Sequence, residues 1–143
     1  MARIKPYSQE CPIASTLDII GDRWTILLLR DLAFGERRFN ELLRSSPGLP
    51  PKMLSVRLRK LEDYGIIERA ILEGRPPRTE YVLTALGRSL GPVLQMIGQW
   101  GLENLYADRP EARAEIERMV FSRVPRLIPE DIRLKAADYE EVS

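Results

Sequence analysis

Apolar residues recur at helical spacing through the N-terminal part of the chain. The stretches 12–20, 23–34 and 41–46 carry them three or four positions apart, which predicts three helices. Asp22 and Asn40 each stand directly before one of these stretches, and both residue types are favoured N-caps. The pattern therefore predicts two helices and then a shorter one, which ends at a Pro-Gly pair.

A narrow leucine stripe runs through the stretch 51–64. Leu58 and Leu61 lie within about 40° of Leu54 on a helical wheel, because a helix turns by about 100° per residue. The other positions are mostly polar, and Gly65 follows as the left-handed residue that ends many helices. We therefore expect a surface helix that buries one thin face and leaves the rest in water.

Two later stretches alternate apolar and polar residues. Residues 66–74 and 78–84 follow the two-residue repeat of half-buried strands. The link between them, Glu73–Arg78, is too long for a tight hairpin and contains the arginines Arg75 and Arg78. The sequence therefore predicts a two-stranded hairpin with a basic loop.

The C-terminal part returns to helical spacing. A long helix is expected to begin at Thr84 and to bend at Pro92, and another is expected from Pro110 to Val124. The buried side of the long helix is expected to consist of Leu90, Leu94, Ile97, Gly101 and Leu105. Beyond Pro125 the chain is acidic and interrupted by prolines, which predicts an arm or a frayed tail.

The order of these elements predicts the fold. A short helix, a tight turn and an exposed helix form a helix-turn-helix, and the hairpin behind it forms a wing. We therefore predict a mainly α (α+β) fold: a winged helix-turn-helix with a two-stranded wing and a long C-terminal helix.

Composition narrows the range of functions. The 143 residues include no histidine and a single cysteine, Cys11. A Cys/His zinc site, a Ser-His-Asp or Cys-His catalytic group and an internal disulfide are therefore excluded. No spacing of Lys, Asp or Tyr argues for catalysis, so we expect neither an enzyme nor a metal or cofactor. The polar N-terminus and the lack of a long apolar run predict a cytoplasmic protein.

Positive charge is concentrated in one region of the chain. The net charge is only +1, but residues 37–78 hold ten Lys or Arg against five Asp or Glu. This asymmetry favours a polyanionic partner. A plain alternative is that the charges only solvate an amphipathic helix. The coincidence of the turn, the narrow stripe, the charge and the basic loop favours double-stranded DNA.

The expected DNA contacts lie on the stretch 51–64 and around it. The outward side of its N-terminal half is the part that a helix-turn-helix inserts into the major groove, where Val56 would touch a thymine methyl. Arg57 projects sideways, toward a phosphate or a carboxylate. The predicted contacts are Arg37, Arg38, Ser46, Lys52, Ser55, Val56, Arg59, Lys60, Arg75 and Arg78.

Four stretches of the sequence together resemble the HxlR-type bacterial transcription regulators, winged-helix proteins related to the MarR regulators. They are residues 11–32, 35–69, 76–90 and 99–101. The resemblance implies a homodimer on a palindromic operator, with dimer contacts from the first helix and the long C-terminal helix. It also implies a domain of residues 1–107 that includes the dimerisation helices. Residues 108–143 would then be a C-terminal helical extension and tail, whose helix Pro110–Val124 would enlarge the dimer interface or cover an effector pocket.

Cys11 stands directly before Pro12, where the amide donors and the dipole of a helix stabilise a thiolate. Some HxlR-type members sense oxidants or electrophiles through a cysteine at this place, whereas many members share the cysteine without an assigned sensing role. The resemblance thus makes sensing one of two interpretations of Cys11. With one cysteine, oxidation gives a disulfide between subunits, a mixed disulfide with a small thiol, or an electrophile adduct. The alternative is a buried structural cysteine.

The sequence thus predicts a dimeric, sequence-specific DNA-binding regulator, a repressor, that recognises DNA through the helix 51–64. The runner-up is a winged-helix module that binds protein through the same surface. A thiol enzyme based on Cys11 lacks a base and a resolving cysteine. Trp24, Tyr64 and Trp100 either line an aromatic effector pocket or belong to the core.

Overall fold

The computed structural model describes residues 10–121, except for the side chains of residues 119–121. The elements are α1 (Pro12–Ile20), α2 (Arg23–Ala33), β1 (Arg37–Arg38), α3 (Phe39–Arg44), α4 (Pro51–Asp63), β2 (Ile67–Leu72), β3 (Arg78–Leu83), α5 (Ala85–Arg88), α6 (Gly91–Leu105) and α7 (Pro110–Phe121). This order confirms the predicted winged helix-turn-helix. Within the described residues, no helix has both the length and the apolar character needed to cross a membrane.

The first two helices begin where the sequence predicts. Pro12 occupies the first turn of α1, where its missing N–H costs no hydrogen bond. Asp22 caps α2, because its carboxylate accepts a hydrogen bond from the backbone N–H of Thr25 at 3.0 Å. The two helices therefore join through a short, well-defined corner.

The third helix starts earlier than the sequence predicts. Its N-cap is Arg38 and not Asn40, which lies inside α3. The backbone N–H of Arg38 donates to Oε1 of Glu41 at 3.1 Å, so Glu41 closes the first turn from within the helix. The predicted Asn40 cap is therefore wrong, since the helix already begins at Phe39, and Glu41, three residues after Arg38, accepts the hydrogen bond from the Arg38 N–H.

The leucine stripe of α4 is confirmed. Leu54, Leu58 and Leu61 are completely buried, while the positions on the opposite side of the helix are exposed. Gly65 has a φ of +72°, and the N–H of Ile66 returns to the Leu61 carbonyl at 2.9 Å. The helix therefore lies on the surface and is anchored along one thin face.

The core of the N-terminal part is built from leucine and isoleucine. α2, α3, α4 and β2 each contribute side chains to it, and these pack behind the helix-turn-helix. The largest completely buried apolar residues are Leu28, Leu29, Leu42, Leu54, Leu58, Leu61 and Ile67. Burial of such a side chain is worth about 1.5–3 kcal/mol, so this cluster fixes the position of α4.

The predicted hairpin is also confirmed. β2 and β3 pair in antiparallel register from Ile67 opposite Leu83 to Leu72 opposite Arg78. β1 pairs with the other edge of β3, so the sheet has three strands in the order β1-β3-β2. The hairpin and its loop form the wing.

The described residues form two compact units that divide between Gly87 and Arg88. The predicted division of the chain after residue 107 stays a prediction. In the C-terminal unit, α7 confirms the helix expected from Pro110. The tail beyond Pro125, for which an arm or frayed segment is predicted, lies outside the described residues.

The single long helix predicted from Thr84 is wrong. The chain forms the short α5 and then restarts as α6, with Pro92 in the first turn of the new helix. A proline inside a continuous helix would remove a hydrogen bond and press on the carbonyl four residues earlier. The break avoids that strain, so Pro92 begins a helix here and does not bend one.

The buried side of α6 also differs from the prediction. Ile97 and Leu105 are exposed, whereas Leu102 is buried. Apolar residues occupy more than one side of this helix, so helical spacing alone does not identify the side that is buried within one chain.

Candidate nucleic-acid interface

Four predicted residues of α4 lie bare on one side of the helix. Lys52, Ser55, Val56 and Arg59 are all exposed. None of their side chains makes a hydrogen bond or an ion pair with another described residue. We call these four residues the outer face. The structure therefore brings two cations, one hydroxyl and one apolar group together on a single accessible surface.

An ion pair ties one side of α4 to the corner between α1 and α2. Nε of Arg57 donates to Oδ1 of Asp22 at 3.1 Å, as expected for an arginine that projects toward a carboxylate. Partial burial raises the pKa of Asp22, but the hydrogen bonds from Thr25 and the charge of Arg57 outweigh it and hold the pKa below its ordinary 3.8. The carboxylate therefore stays ionised at neutral pH.

Lys60 does not belong to the outer face. Its Nζ donates to the backbone oxygen of Asp18, in α1, at 2.7 Å, and the side chain is half-buried. On a wheel Lys60 lies about 120° from the leucine stripe, which is far enough around to be counted as exposed. Because α1 lies beside this side of α4, the ammonium group of Lys60 hydrogen-bonds within the protein. The structure thus argues against the predicted DNA contact of Lys60 and makes it a second tether of α4.

Ser46, another predicted DNA contact, is buried inside the protein. It is 2% exposed, and its hydroxyl has no hydrogen-bond partner among the described residues. The Ser46 carbonyl accepts from the Leu49 N–H at 3.1 Å and closes the turn between α3 and α4 with the side chain inside. A buried hydroxyl does not reach a phosphate, so this geometry argues against the predicted contact.

Arginines cluster around α3. Arg38 is exposed, and Arg37 is half-buried with its guanidinium donating to the Glu36 carbonyl at 2.9 Å. A third arginine, Arg44, is exposed at the end of α3. An open cleft of about 520 Å³ is lined by Arg38, Phe39, Asn40, Glu41, Arg44 and Thr79. Arg44 is not among the predicted contacts, although its position about 200° around the helix from the buried Leu42 indicates exposure.

The two wing arginines lie where they are predicted. Arg75 and Arg78 are exposed, together with the rest of the loop between the strands. Arg69, farther down β2, is engaged instead, since its Nε donates to Oε2 of Glu62 at 3.1 Å. Exposed positive charge is therefore also present at α3 and in the loop of the wing.

Met53 is not among the predicted contacts, but its side chain lies beside Val56 and is 38% exposed. It lies about 100° from Leu54 on a helical wheel, the same angular distance as Ser55, so the wheel also indicates exposure for Met53.

Cys11 is the N-cap of α1, as expected from the Cys-Pro pair. Its backbone is extended, with φ −133° and ψ 121°, and its side chain is half-buried and makes no capping hydrogen bond. The thiol is free and partly accessible.

The three aromatic residues have different surroundings. Trp24 and Tyr64 are half-buried, and Trp24 lies beside Gly48 in the turn between α3 and α4. Trp100 is 62% exposed. Trp24 thus packs in support of the helix-turn-helix, whereas Trp100 is not a core residue within one chain.

The chain is similar to a family model and to known transcriptional regulators. Residues 19–109 match the family model described as HxlR-like helix-turn-helix. The HTH-type transcriptional regulator YybR of Bacillus subtilis (strain 168) is 40% identical over 101 residues, which cover 71% of this chain and 81% of YybR. YdeP of the same organism is 43% identical over 99 residues, which cover 69% of this chain and 76% of YdeP.

Solved structures with the same fold include two redox-related regulators. The redox regulator HypR in its oxidised form has a TM-score of 0.63 and 40% identity, covering 66% of this chain and 97% of HypR. The reduced form of the transcriptional regulator YodB from B. subtilis has a TM-score of 0.59 and 34% identity, covering 67% of this chain and 95% of YodB.

These relatives are transcriptional regulators and not enzymes, as the sequence predicts for this chain. The family model covers more than half of the chain and includes the helix-turn-helix and the wing. The protein is therefore a helix-turn-helix transcriptional regulator that belongs to the HxlR-like family.

Proposed function

We propose that the protein is a homodimeric repressor that binds a palindromic operator and inserts α4 into the major groove. The observation that carries this proposal is the outer face, whose side chains are exposed and have no partners among the described residues. The opposite face of α4 is completely buried, so the helix is held rigidly. A rigid helix presents hydrogen-bond donors at fixed positions, as base recognition requires.

The outer face is assigned to the bases. The guanidinium of Arg59 suits the O6 and N7 acceptors of guanine, and Lys52 and Ser55 add further donors at the N-terminal end of α4. The flanking arginines are assigned to the DNA backbone, which fixes orientation without reading sequence. Those around α3 are Arg37, Arg38 and Arg44, and those on the wing are Arg75 and Arg78.

Dimerisation is assigned to α1 and α6. α1 exposes Ile13 and Leu17, and α6 exposes Met96, Ile97 and Trp100. Exposed apolar residues that are grouped together on a protein surface often mark a site that a partner covers. A second copy of the chain would cover these groups, and its α4 would enter the next major groove about 34 Å away.

The proposal predicts salt-dependent binding to a palindrome. Selection from random duplexes should recover two inverted half-sites one helical turn apart, and affinity for this sequence should fall steeply as salt rises. The measurement is a gel shift of the selected duplex at two salt concentrations. If the protein shifted no duplex even at low salt, DNA binding would be contradicted. A winged-helix module that binds protein would then explain the exposed surface better.

Cys11 is assigned to thiol sensing. HypR is named a redox regulator, and YodB has been solved both reduced and treated with diamide. Here the partly accessible Cys11 at the start of α1 offers a free thiol. An electrophile such as a quinone would add to Sγ with loss of the thiol proton, and diamide would join two Cys11 thiols while its azo group takes up both hydrogens.

Replacing Cys11 with serine is expected to remove the response to both reagents. Because Cys11 is the single cysteine of the chain, no other thiol can substitute for it. The variant should bind its operator within about twofold of the unmodified protein, since serine is also a favoured N-cap. Fluorescence anisotropy with labelled operator, with and without diamide or quinone, tests this. Release of C11S from DNA to the same extent as the original protein would disprove sensing at Cys11.

A further inference from the structure

Val56, a member of the outer face of α4, has an exposed apolar neighbour in Met53. Val56 is 54% exposed and Met53 is 38% exposed, and the two side chains are one helical turn apart. Single exposed apolar residues are common on protein surfaces. Two neighbours on the exposed side of an otherwise polar helix make a small apolar patch, which we call the methyl edge.

The exposed side of α4 is divided along its length. Measured from Leu54 on a helical wheel, Ser55, Arg59 and Lys52 lie at about 100° to 160°. Val56 and Met53 lie at about 200° and 260°. In the N-terminal half of α4, one edge is therefore polar and cationic, and the neighbouring edge is apolar.

The methyl edge is not needed to hold α4 in place. The buried leucines of the stripe do this on the other side, and the contacts with the α1–α2 corner are made by Arg57 and Lys60. On the wheel Val56 lies between Lys60 and the cationic edge, and Met53 lies between Lys60 and Arg57; both side chains remain exposed. Their side chains are free to contact a partner.

The partner must offer an apolar group directly beside hydrogen-bond acceptors and negative charge. The major groove of DNA combines these features at thymine, whose 5-methyl group is the apolar group on its base edges. The methyl edge also lies in the N-terminal half of α4, the part of a recognition helix that contacts bases. Charge and position thus favour a thymine-containing site over an apolar protein surface.

We infer that Met53 and Val56 read thymine methyl groups, so that each half-site contains A·T pairs beside the base pair that Arg59 reads. This inference rests on the proposed DNA binding and adds the class of base that the protein selects. Loss of one contacted methyl should weaken binding by about fourfold, since burial of such a group is worth about 0.8 kcal/mol.

The test uses the duplex recovered by selection from random sequences. Each thymine in turn is replaced by deoxyuridine, which removes the 5-methyl group and leaves the hydrogen-bonding groups unchanged. Affinity is measured by anisotropy for the full chain and for the variants Val56→Ala and Met53→Ala. Ser55→Ala serves as the control variant, because it alters the polar edge of the same helix.

Two results together support the inference. Deoxyuridine should weaken binding about fourfold at one or two thymines of each half-site, and in Val56→Ala or Met53→Ala the same change should cost less than about twofold. Ser55→Ala should keep the full effect of deoxyuridine. Alanine favours helix formation, so the exposed variants are expected to fold, and far-UV circular dichroism checks this.

Three results would overturn the inference in distinguishable ways. Tolerance of deoxyuridine at every position, with binding intact, would refute methyl reading and leave the proposed function standing. A deoxyuridine effect that persists in both alanine variants would show that other residues read the methyl groups. Failure to select any duplex would remove the proposed function together with the inference.

Discussion

Replacing Leu58 with alanine is expected to lower the free energy of unfolding by about 2–5 kcal/mol, because it removes apolar contacts and leaves a cavity. Leu58 is completely buried, between Leu54 and Leu61, in the stripe that anchors α4. Chemical denaturation followed by circular dichroism measures the change. The protein concentration must be equal for both variants, since the stability of a dimer depends on concentration.

The matched control for this experiment is Val56→Ala. Val56 lies on the same helix but is 54% exposed, so its replacement should change the free energy of unfolding by no more than about 0.5 kcal/mol. A loss below about 1 kcal/mol for Leu58→Ala would contradict a tightly packed stripe. It would also weaken the proposal that α4 presents its outer face rigidly.

The fold could be predicted from local features of the sequence. The start of α4 follows from a proline, its buried face from three leucines at helical spacing, and its end from a glycine at positive φ. The wing follows from alternation and from a loop rich in turn residues. Each of these signals acts within a few residues of the chain, so it can be recognised without knowledge of tertiary contacts.

The candidate site could be predicted only in part, because its composition depends on distant contacts. Lys60 leaves the outer face because the carbonyl of Asp18, 42 residues away, accepts its hydrogen bond. The side chain of Ser46 is buried in the turn between α3 and α4, so it is not part of the candidate site. The side chain of Arg44 is exposed at the end of α3, so it is included. A helical wheel gives the direction of a side chain from its own helix, but it does not tell which neighbouring element lies there.

α6 illustrates a second limit of sequence patterns. Its apolar residues lie on more than one side, and Met96, Ile97 and Trp100 are exposed in the single chain. The periodicity of a helix records all surfaces that are buried in the working assembly, including those covered by a partner. The mismatch at Ile97 is therefore expected if α6 forms part of the proposed dimer interface.

Arg59→Gln is expected to change which base pair the protein prefers. A guanidinium that contacts guanine through both O6 and N7 contributes about 1–3 kcal/mol of discrimination, or roughly 5- to 150-fold in affinity. Glutamine cannot donate to both acceptors and instead matches adenine. The selected consensus should therefore lose its guanine at one position of each half-site. Repeating the selection with the variant and comparing both proteins on both duplexes measures the change.

Arg44→Gln is the matched control, because the same substitution at an arginine that we assign to the DNA backbone should leave the consensus unchanged. It should weaken all duplexes alike and make the dependence on salt less steep, as expected when a phosphate contact is removed. The contrast between the two variants separates base reading on α4 from backbone contact at the end of α3. If Arg59→Gln also weakened every duplex equally, Arg59 would be a phosphate contact, and the outer face would not be the surface that reads sequence.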